Sequence, residues 1–361
     1  MSLYPRAPNV SFIPDGCLRL KGMNRRRRRT LLAVAAVLLL LALAIFLRSK
    51  APPEAARLLP EADGILYVNL QPMRAFLHRD RHGDLKPPTH DPEYQQFIDA
   101  TGIDWEQDLD QVAVALHRME DPRGPNGPVA YSMVLVGKLT GPKLKSWLES
   151  HATAQEAYAG HTIYSIPSEG RTVRVTQIGY DTMAVSNYPT AEKIHSMIDR
   201  HRTAALPFAN STLLAAHYHD VPLLSLAWGV GQIGMPFTES GKIHVLGLEL
   251  PIASDSTIIA SVAPGLPMQG LLHLRVEEIA PTETDAARQY ADLRQLVEVA
   301  SILTAPLGET QANRGLKELL KTAQVSQDRT RVMIKATLTQ SALSAFAAED
   351  AASPAQGSAS K

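Results

Sequence analysis

Cysteine is almost absent from the chain: the only one among 361 residues is Cys17, which precedes a long apolar run. The residues beyond that run therefore lack a thiol, which excludes a disulfide framework, a zinc–thiolate site and a cysteine nucleophile there. Aromatic residues make up only 6% of the chain, and Trp105, Trp147 and Trp228 are far apart. We interpret these tryptophans as core or interface residues rather than as a sugar-binding platform.

Signatures of common catalytic sites are also missing. The sequence contains no G-x-S-x-G motif and no S-x-x-K at a predicted strand-to-helix turn, so no serine stands in a recognisable nucleophile context. We therefore predict no catalytic, cofactor-binding or metal residues, no cofactor, and a role without catalysis. The alternative function is that of an extracytoplasmic metal-assisted hydrolase.

The most informative feature present is a block of five arginines, Arg25 to Arg29, directly followed by an apolar segment. With Thr30, the uncharged run covers residues 30–47, or about 27 Å of helix, close to the hydrocarbon thickness of a bilayer. The positive-inside rule predicts a cytoplasmic N-terminus and an extracytoplasmic C-terminal part. We therefore predict a single-pass protein of a bacterial inner membrane, which contacts the lipid bilayer through residues 30–47.

Two alternatives concern this N-terminal part. The segment Ala42-Leu43-Ala44 resembles a signal-peptide cleavage site, although the apolar run continues beyond it, which favours an uncleaved anchor. Met23 stands directly before the arginine block and is an alternative start of the protein.

The net charge of zero hides two opposite parts. Residues 1–50 hold ten basic side chains and one acidic side chain, whereas the other residues hold 26 basic and 35 acidic ones, a net charge of −9. An acidic exported part repels polyanions, so we expect no nucleic acid as a partner there. Another envelope protein is the partner that we expect.

Composition and turn residues divide the chain into six segments. Proline and alanine are frequent just after the apolar run, and the C-terminal end is of low complexity, which is typical of a linker and of a disordered tail. The predicted segments are a cytoplasmic basic segment (1–29), a transmembrane helix (30–47), a linker (48–63), a first α+β module (64–205), a second α+β module (206–346) and a disordered tail (347–361).

Apolar periodicity within the two modules alternates between strand and helix. The predicted strands are 64–70, 111–116, 130–139, 161–166, 172–178, 182–186, 223–228, 257–262, 271–276 and 330–338. The predicted helices are 92–100, 189–201, 211–216, 281–304 and 315–322. A further helix is predicted after Thr140 as its cap, with Leu144, Trp147 and Leu148 on one face. Hairpins mixed with helices predict an α+β fold with a mainly antiparallel sheet and helices packed on one face. Two related modules are a hypothesis within that fold.

Four stretches carry a family resemblance: Ile65–Leu70 after a Pro-Glu-Ala-Asp-Gly turn, Thr101–Val114, Gly160–Tyr164 and Ala323–Leu343. On these stretches the chain resembles an uncharacterised bacterial family of single-span, membrane-anchored ectodomains of unknown function. The resemblance covers residues 58–346. It implies an anchored ectodomain, and its motifs are structural, so it assigns no catalytic residue.

One glycine motif is a candidate for nucleotide binding. Residues 229–234 match G-x-G-x-x-G, but a dinucleotide site needs a helix that begins at the third glycine, and Pro236 disfavours one. We therefore expect no nucleotide as a ligand and interpret the motif as a strand or loop bent by its glycines.

Three groups of polar residues are candidate metal sites. The best one is His217 with His219 and Asp220, because two histidines at this spacing share a face of a strand. The alternative is a polar helix end before Pro222, where histidine is favourable.

The other two groups fit worse. His78, His82 and His90 lie among loop residues and lack the glutamate of a metalloprotease helix. Asp108 and Asp110 offer part of a calcium loop, but the central glycine is missing and Asp104 suits a helix N-cap.

Overall fold

A computed structural model describes residues 34–41, 51–72, 74, 92–124, 126–203, 211–233, 243–245, 248–250, 256–265, 271–304, 306, 308, 311–339 and 342. By its internal contacts the chain divides into two units, Met1–Ser49 and Lys50–Lys361.

The first unit contains part of the predicted membrane segment. Residues 34–41 are helical, and their large apolar side chains are exposed, for example Leu39 at 67%. Within the described ranges no helix is both long and apolar enough to cross a membrane. The rest of the predicted span, residues 30–33 and 42–47, lies outside those ranges.

The second unit is built on one large antiparallel sheet. Its strands run in the order β13-β14-β12-β11-β8-β1-β2-β3-β7-β6-β5-β4, and β9 and β10 form a separate pair. The strands are β1 (Gly64–Asn69), β2 (Leu109–Arg118), β3 (Val129–Gly137), β4 (Ala154–Tyr158), β5 (His161–Ser168), β6 (Arg171–Gln177), β7 (Thr182–Ser186), β8 (Ala227–Ile233), β9 (Ile243–Val245), β10 (Leu248–Leu250), β11 (Ser256–Pro264), β12 (Leu271–Ile279), β13 (Gln324–Asp328) and β14 (Arg331–Thr339).

Strand β1 joins the strands of residues 64–205 to those of residues 206–346. It pairs with β2 on one side and with β8 on the other, so that Leu66 lies opposite both Val114 and Gly229. The sheet is therefore continuous from β13 to β4, and one register relates side chains across all twelve strands.

The helices lie in the connections between the strands. They are α1 (Glu54–Arg57), α2 (Pro92–Thr101), α3 (Trp105–Asp108), α4 (Pro142–His151), α5 (Glu192–Arg202), α6 (Thr212–His217), α7 (Glu283–Thr304) and α8 (Gln311–Thr322), with a 3₁₀ turn at Tyr218–Asp220. Side-chain caps begin three of the described helices, and Thr282 is the cap of α7. Asp104 accepts a hydrogen bond from the Glu106 amide at 2.9 Å, and Ser211 accepts one from the Leu214 amide at 3.4 Å.

The two faces of the sheet bury different clusters. Side chains alternate along a strand, so Val134 and Leu135 of β3 point to opposite faces and lie in different apolar clusters. We call the side of Val134 face A and the side of Leu135 face B. Cross-strand register extends this assignment, because residues directly opposite each other share a face.

Helices lie on both faces, so the expected packing on one face is wrong. Face A is covered by α1, α5 and α6, which contribute Ala55, Ile194 and Leu214 to its cluster. Face B is covered by α2 to α4, and further along the sheet by α7 and α8. The physical reason is that β7 is buried at all five positions, so both of its sides need cover.

The predicted mixture of helices with a large antiparallel sheet is confirmed, and most predicted elements recur with small shifts at their ends. Gly102 ends α2 at φ 73°, a conformation that favours glycine. Thr140 is not the cap of α4, whose N-cap is Gly141. The strand expected at 223–228 begins only at Ala227, and the polar strands β4 and β13 were not predicted.

Candidate functional site

The register of four strands places a row of polar side chains on face A. Ser261 of β11 lies opposite Arg275 of β12, which lies opposite Lys335 of β14, which in turn lies opposite Gln324 of β13. The next row contains His273 and Thr337, whose side chains are 3.3 Å apart at Nδ1 and Oγ1. The sheet therefore presents several hydrogen-bonding side chains on one side.

These side chains line a cavity of about 400 Å³, which we call the basic cavity. Its polar lining consists of Ser261, His273, Arg275, Thr322, Gln324, Lys335 and Thr337, and no carboxylate is among its lining residues. Lys335 and His273 are exposed, whereas Ser261 is buried at its floor. A cavity of this kind has the size of a small-ligand site with convergent polar groups.

A buried carboxylate orders the cations beside the cavity. Glu277 is 0% exposed and accepts hydrogen bonds from the guanidinium groups of Arg275 and Arg331, the latter at 2.7 Å. Arg331 also donates to Asp220 at 2.8 Å, so it joins the 3₁₀ turn to the sheet. The hydrogen bonds to Asp220 and Glu277 raise the pKa of Arg331.

The cavity side chains are only partly satisfied within the protein. Arg275 uses Nη2 for Glu277, and its buried Nε has no hydrogen-bond partner among the described residues. Among the described residues, Lys335 likewise has no ion-pair partner. Arg275 and Lys335 also face each other directly as like charges, which destabilises a sheet unless something neutralises them.

The structure places the predicted metal ligands at a helix end. His217 ends α6, and His219 and Asp220 lie in the 3₁₀ turn, where His219 Nε2 is 3.4 Å from Asp220 Oδ2. Burial lowers the pKa of His217 against the opposing effect of Asp220, and His219 and Arg331 lower it further. The described part of the chain has no group of three or more metal-ligating side chains, and Arg331 places a positive charge on Asp220.

Strands β2, β3 and β7 carry a serine–histidine network on face A that the sequence analysis did not predict. His117 Nε2 is 2.9 Å from Ser132 Oγ, which is 3.0 Å from Ser186 Oγ. The three residues are 15 and 54 positions apart in sequence, so no local motif marks them. The sequence signal that could have revealed them is that they are polar residues at inward-facing positions of otherwise apolar strands.

This network is sealed from solvent. His117 is 3% exposed and Ser132 is 0% exposed. Burial, followed by the charge of Lys193, lowers the pKa of His117 to about 4, against the opposing effect of Asp63. The imidazole is therefore neutral at physiological pH, and a substrate does not reach either hydroxyl.

The remaining sequence candidates have structural roles or lie elsewhere. Asp104 caps α3, as expected, and Asp110 forms an ion pair with Arg74 at 2.7 Å. Gly229 and Gly231 are inside β8, in agreement with the strand interpretation of the glycine motif. His78, His82 and His90 fall outside the described ranges.

The tryptophans pack against other aromatic side chains. Trp228 stacks on Tyr67, Trp105 stacks on Phe97, and Trp147 meets Phe97 edge to face. Burial raises the pKa of Tyr67 to about 12, in keeping with a phenol held in the core. The interpretation of the tryptophans as core residues is confirmed for Trp228, which is 4% exposed.

The fold and the cavity define a mixed helix-and-sheet protein with a polar concavity on one sheet face. No protein-family model and no curated protein matches the chain. Among solved structures, crystal form III of TP0453 is similar at 11% identity and a TM-score of 0.41, over 82% of this chain and 99% of that chain. Crystal form IV of TP0453 is similar at 12% identity and a TM-score of 0.39, over 81% and 96%. At these scores the likeness carries no functional argument.

Proposed function

We propose that the protein is a membrane-anchored binding or scaffold protein of the bacterial envelope that acts without catalysis. The proposed anchor is the helix of residues 30–47, with residues 1–29 in the cytoplasm and the C-terminal part outside it. The support for this orientation is the arginine block Arg25 to Arg29 at one end of the apolar run.

The observation that carries the binding role is the basic cavity. It combines the volume of a small-ligand site with an array of donors that are not all paired within the described residues. The serine–histidine pair that could suggest hydrolysis is enclosed by the core, with Ser132 at 0% exposure. A concave site lined by several hydrogen-bond donors suits the holding of a ligand.

The proposed organisation is two related modules, 64–205 and 206–346, after a linker at 48–63 and before a tail at 347–361. The pairing of β1 with β8 supports a single rigid platform made from both modules. Such a platform suits a scaffold, because ligands or an envelope protein bound to different strands would be held at constant positions relative to one another.

Protease accessibility tests the location. We expect a protease added to spheroplasts to remove the C-terminal part, and the same protease added to inverted vesicles to leave it intact. The reverse pattern would place that part in the cytoplasm and would contradict the envelope role.

A substrate panel tests the absence of catalysis. The purified full-length protein is incubated with esterase, phosphatase, peptidase and glycosidase substrates. Turnover that is lost in a His217→Ala, His219→Ala double variant would replace this proposal with the metal-assisted hydrolase.

A further inference from the structure

We propose that the basic cavity binds a phosphate group, carried either by a small soluble molecule or by a lipid headgroup. This inference rests on the binding role proposed above and names the class of its ligand. It does not depend on the side of the membrane on which the cavity lies.

The charge around the cavity favours an anion. Arg275, Arg331 and Lys335 carry three positive charges, and Glu277 and Asp220 carry two negative ones. Both carboxylates are engaged with guanidinium groups, so the remaining positive charge lies at Lys335 and at the far side of Arg275. His273 on the rim adds a further hydrogen-bonding side chain.

The cross-strand arrangement explains why an anion is needed. Arg275 and Lys335 are direct neighbours on face A, and like charges at this position repel each other. Glu277 lies on the same face and engages Arg275, but it makes no ion pair with Lys335. An anion between Arg275 and Lys335 would turn this repulsion into two charge-assisted hydrogen bonds.

The number and spacing of donors favour phosphate over a carboxylate. The cavity spans β11, β12 and β14, and neighbouring strands are about 4.8 Å apart. Ser261, Arg275, Lys335 and Thr337 therefore line the cavity at separate points on three strands. A phosphate offers oxygens in three directions, whereas a carboxylate offers two in one plane.

One local feature opposes the anion. Helix α8 ends at Thr322 on the rim, and the C-terminus of a helix carries about half a negative charge. The full charges of Arg275 and Lys335 outweigh it. The chain beyond residue 50 has a net charge of −9, so its surface as a whole repels anions and the basic cavity is an exception.

The test is calorimetric titration of the full-length protein in detergent with inorganic phosphate at constant ionic strength. We expect saturable binding at one site, and weaker binding of acetate. Replacing the lysine by Lys335→Gln should weaken phosphate binding about tenfold, because one charge-assisted hydrogen bond is lost. The matched control is Lys138→Gln, which removes the same charge from an exposed position just after β3, five strands away from β12, and should leave the affinity unchanged.

A second variant keeps the test informative if Lys335→Gln does not fold. Thr337→Val preserves the shape of the side chain and removes its hydroxyl, and we expect it to weaken phosphate binding several-fold. An absence of phosphate binding, or an equal loss in Lys335→Gln and Lys138→Gln, would overturn the proposal. A failure here leaves the protease result unaffected, so the two proposals fail separately.

Reconstitution distinguishes the two sources of phosphate. The protein is placed in phosphatidylcholine vesicles with or without phosphatidic acid, and inorganic phosphate is titrated again. If the ligand is a headgroup, phosphatidic acid competes and lowers the apparent phosphate affinity. If the ligand is soluble, the affinity is the same in both kinds of vesicle.

Discussion

Face A carries polar side chains in two regions that differ in their cover. Over β2, β3 and β7, the helices α1 and α5 close the face, and His117, Ser132 and Ser186 form a neutral network beneath them. Over β12 and β14 the same face borders the basic cavity, and Arg275 and Lys335 are charged.

The comparison shows that burial by helices determines whether a polar side chain needs a partner within the protein. Under the helices, each polar atom needs an internal partner and a charge is costly, which is why the pKa of His117 falls to about 4. Beside the cavity, Lys335 is exposed, whereas the buried Glu277 has the guanidinium groups of Arg275 and Arg331 as internal partners. The closed region therefore stabilises the fold, and the open region is available for a ligand.

The largest expected effect is at the buried carboxylate of the open region. Glu277→Ala removes the acceptor of two guanidinium groups and should lower the free energy of unfolding by about 3–5 kcal/mol. Urea denaturation measures this change. The control is Glu298→Ala, which breaks the exposed pair with Arg294 and should cost less than about 1 kcal/mol. Equal losses of unfolding free energy in both variants would show that Glu277 contributes no more to stability than an exposed ion pair.

The closed region should be recognisable by its pH dependence. The folded pKa of His117 is about 4, below the unfolded value of 6.5, so acid protonates the unfolded state first. Stability is full above pH 6.5 and should fall by about 3 kcal/mol as the pH drops towards 4. Urea denaturation at a series of pH values measures this slope.

The variant that tests this slope is His117→Leu, which should remove this part of the pH dependence. The control is His161→Asn, at a histidine on β5 whose ring is hydrogen-bonded to the Gln177 carbonyl, and it should retain the slope. If the slope is the same in wild type and His117→Leu, the neutral network does not set the acid stability.

The smallest expected effect concerns the like charges of the cavity. In a phosphate-free buffer, Lys335→Gln removes the repulsion with Arg275 and should stabilise the protein by about 0.2–1 kcal/mol. Saturating phosphate should stabilise the wild type and cancel this advantage. Thermal unfolding in the two buffers measures both effects, and a clear loss of stability without phosphate would show that Lys335 has a structural role.

The sequence predicted the apolar framework because local periodicity encodes it. Ile194, Met197 and Ile198 recur at helical spacing within the predicted helix 189–201, and each is 0% exposed. Strands with alternating or continuous apolar residues were found, since burial requires those residues. The strands β4 and β13 were missed because their side chains are mostly exposed and carry no apolar pattern.

The candidate site was much less predictable. The basic cavity depends on the register that places Ser261, Arg275 and Lys335 side by side, although Arg275 and Lys335 are far apart in sequence. Local spacing drew attention instead to His217 and His219, which lie in consecutive turns at a helix end. Long-range pairing, which a single sequence does not display, determines which polar residues meet.

The most direct test of the open and closed regions is thiol labelling of the full-length protein after Cys17→Ser, which removes its only cysteine. Single cysteines are then introduced by Thr337→Cys in the basic cavity and by Ser186→Cys in the closed network. We predict that a maleimide labels the first at least about tenfold faster, and that urea removes the difference, because only the second needs an opening of the fold. Equal labelling rates in the folded protein would contradict the account.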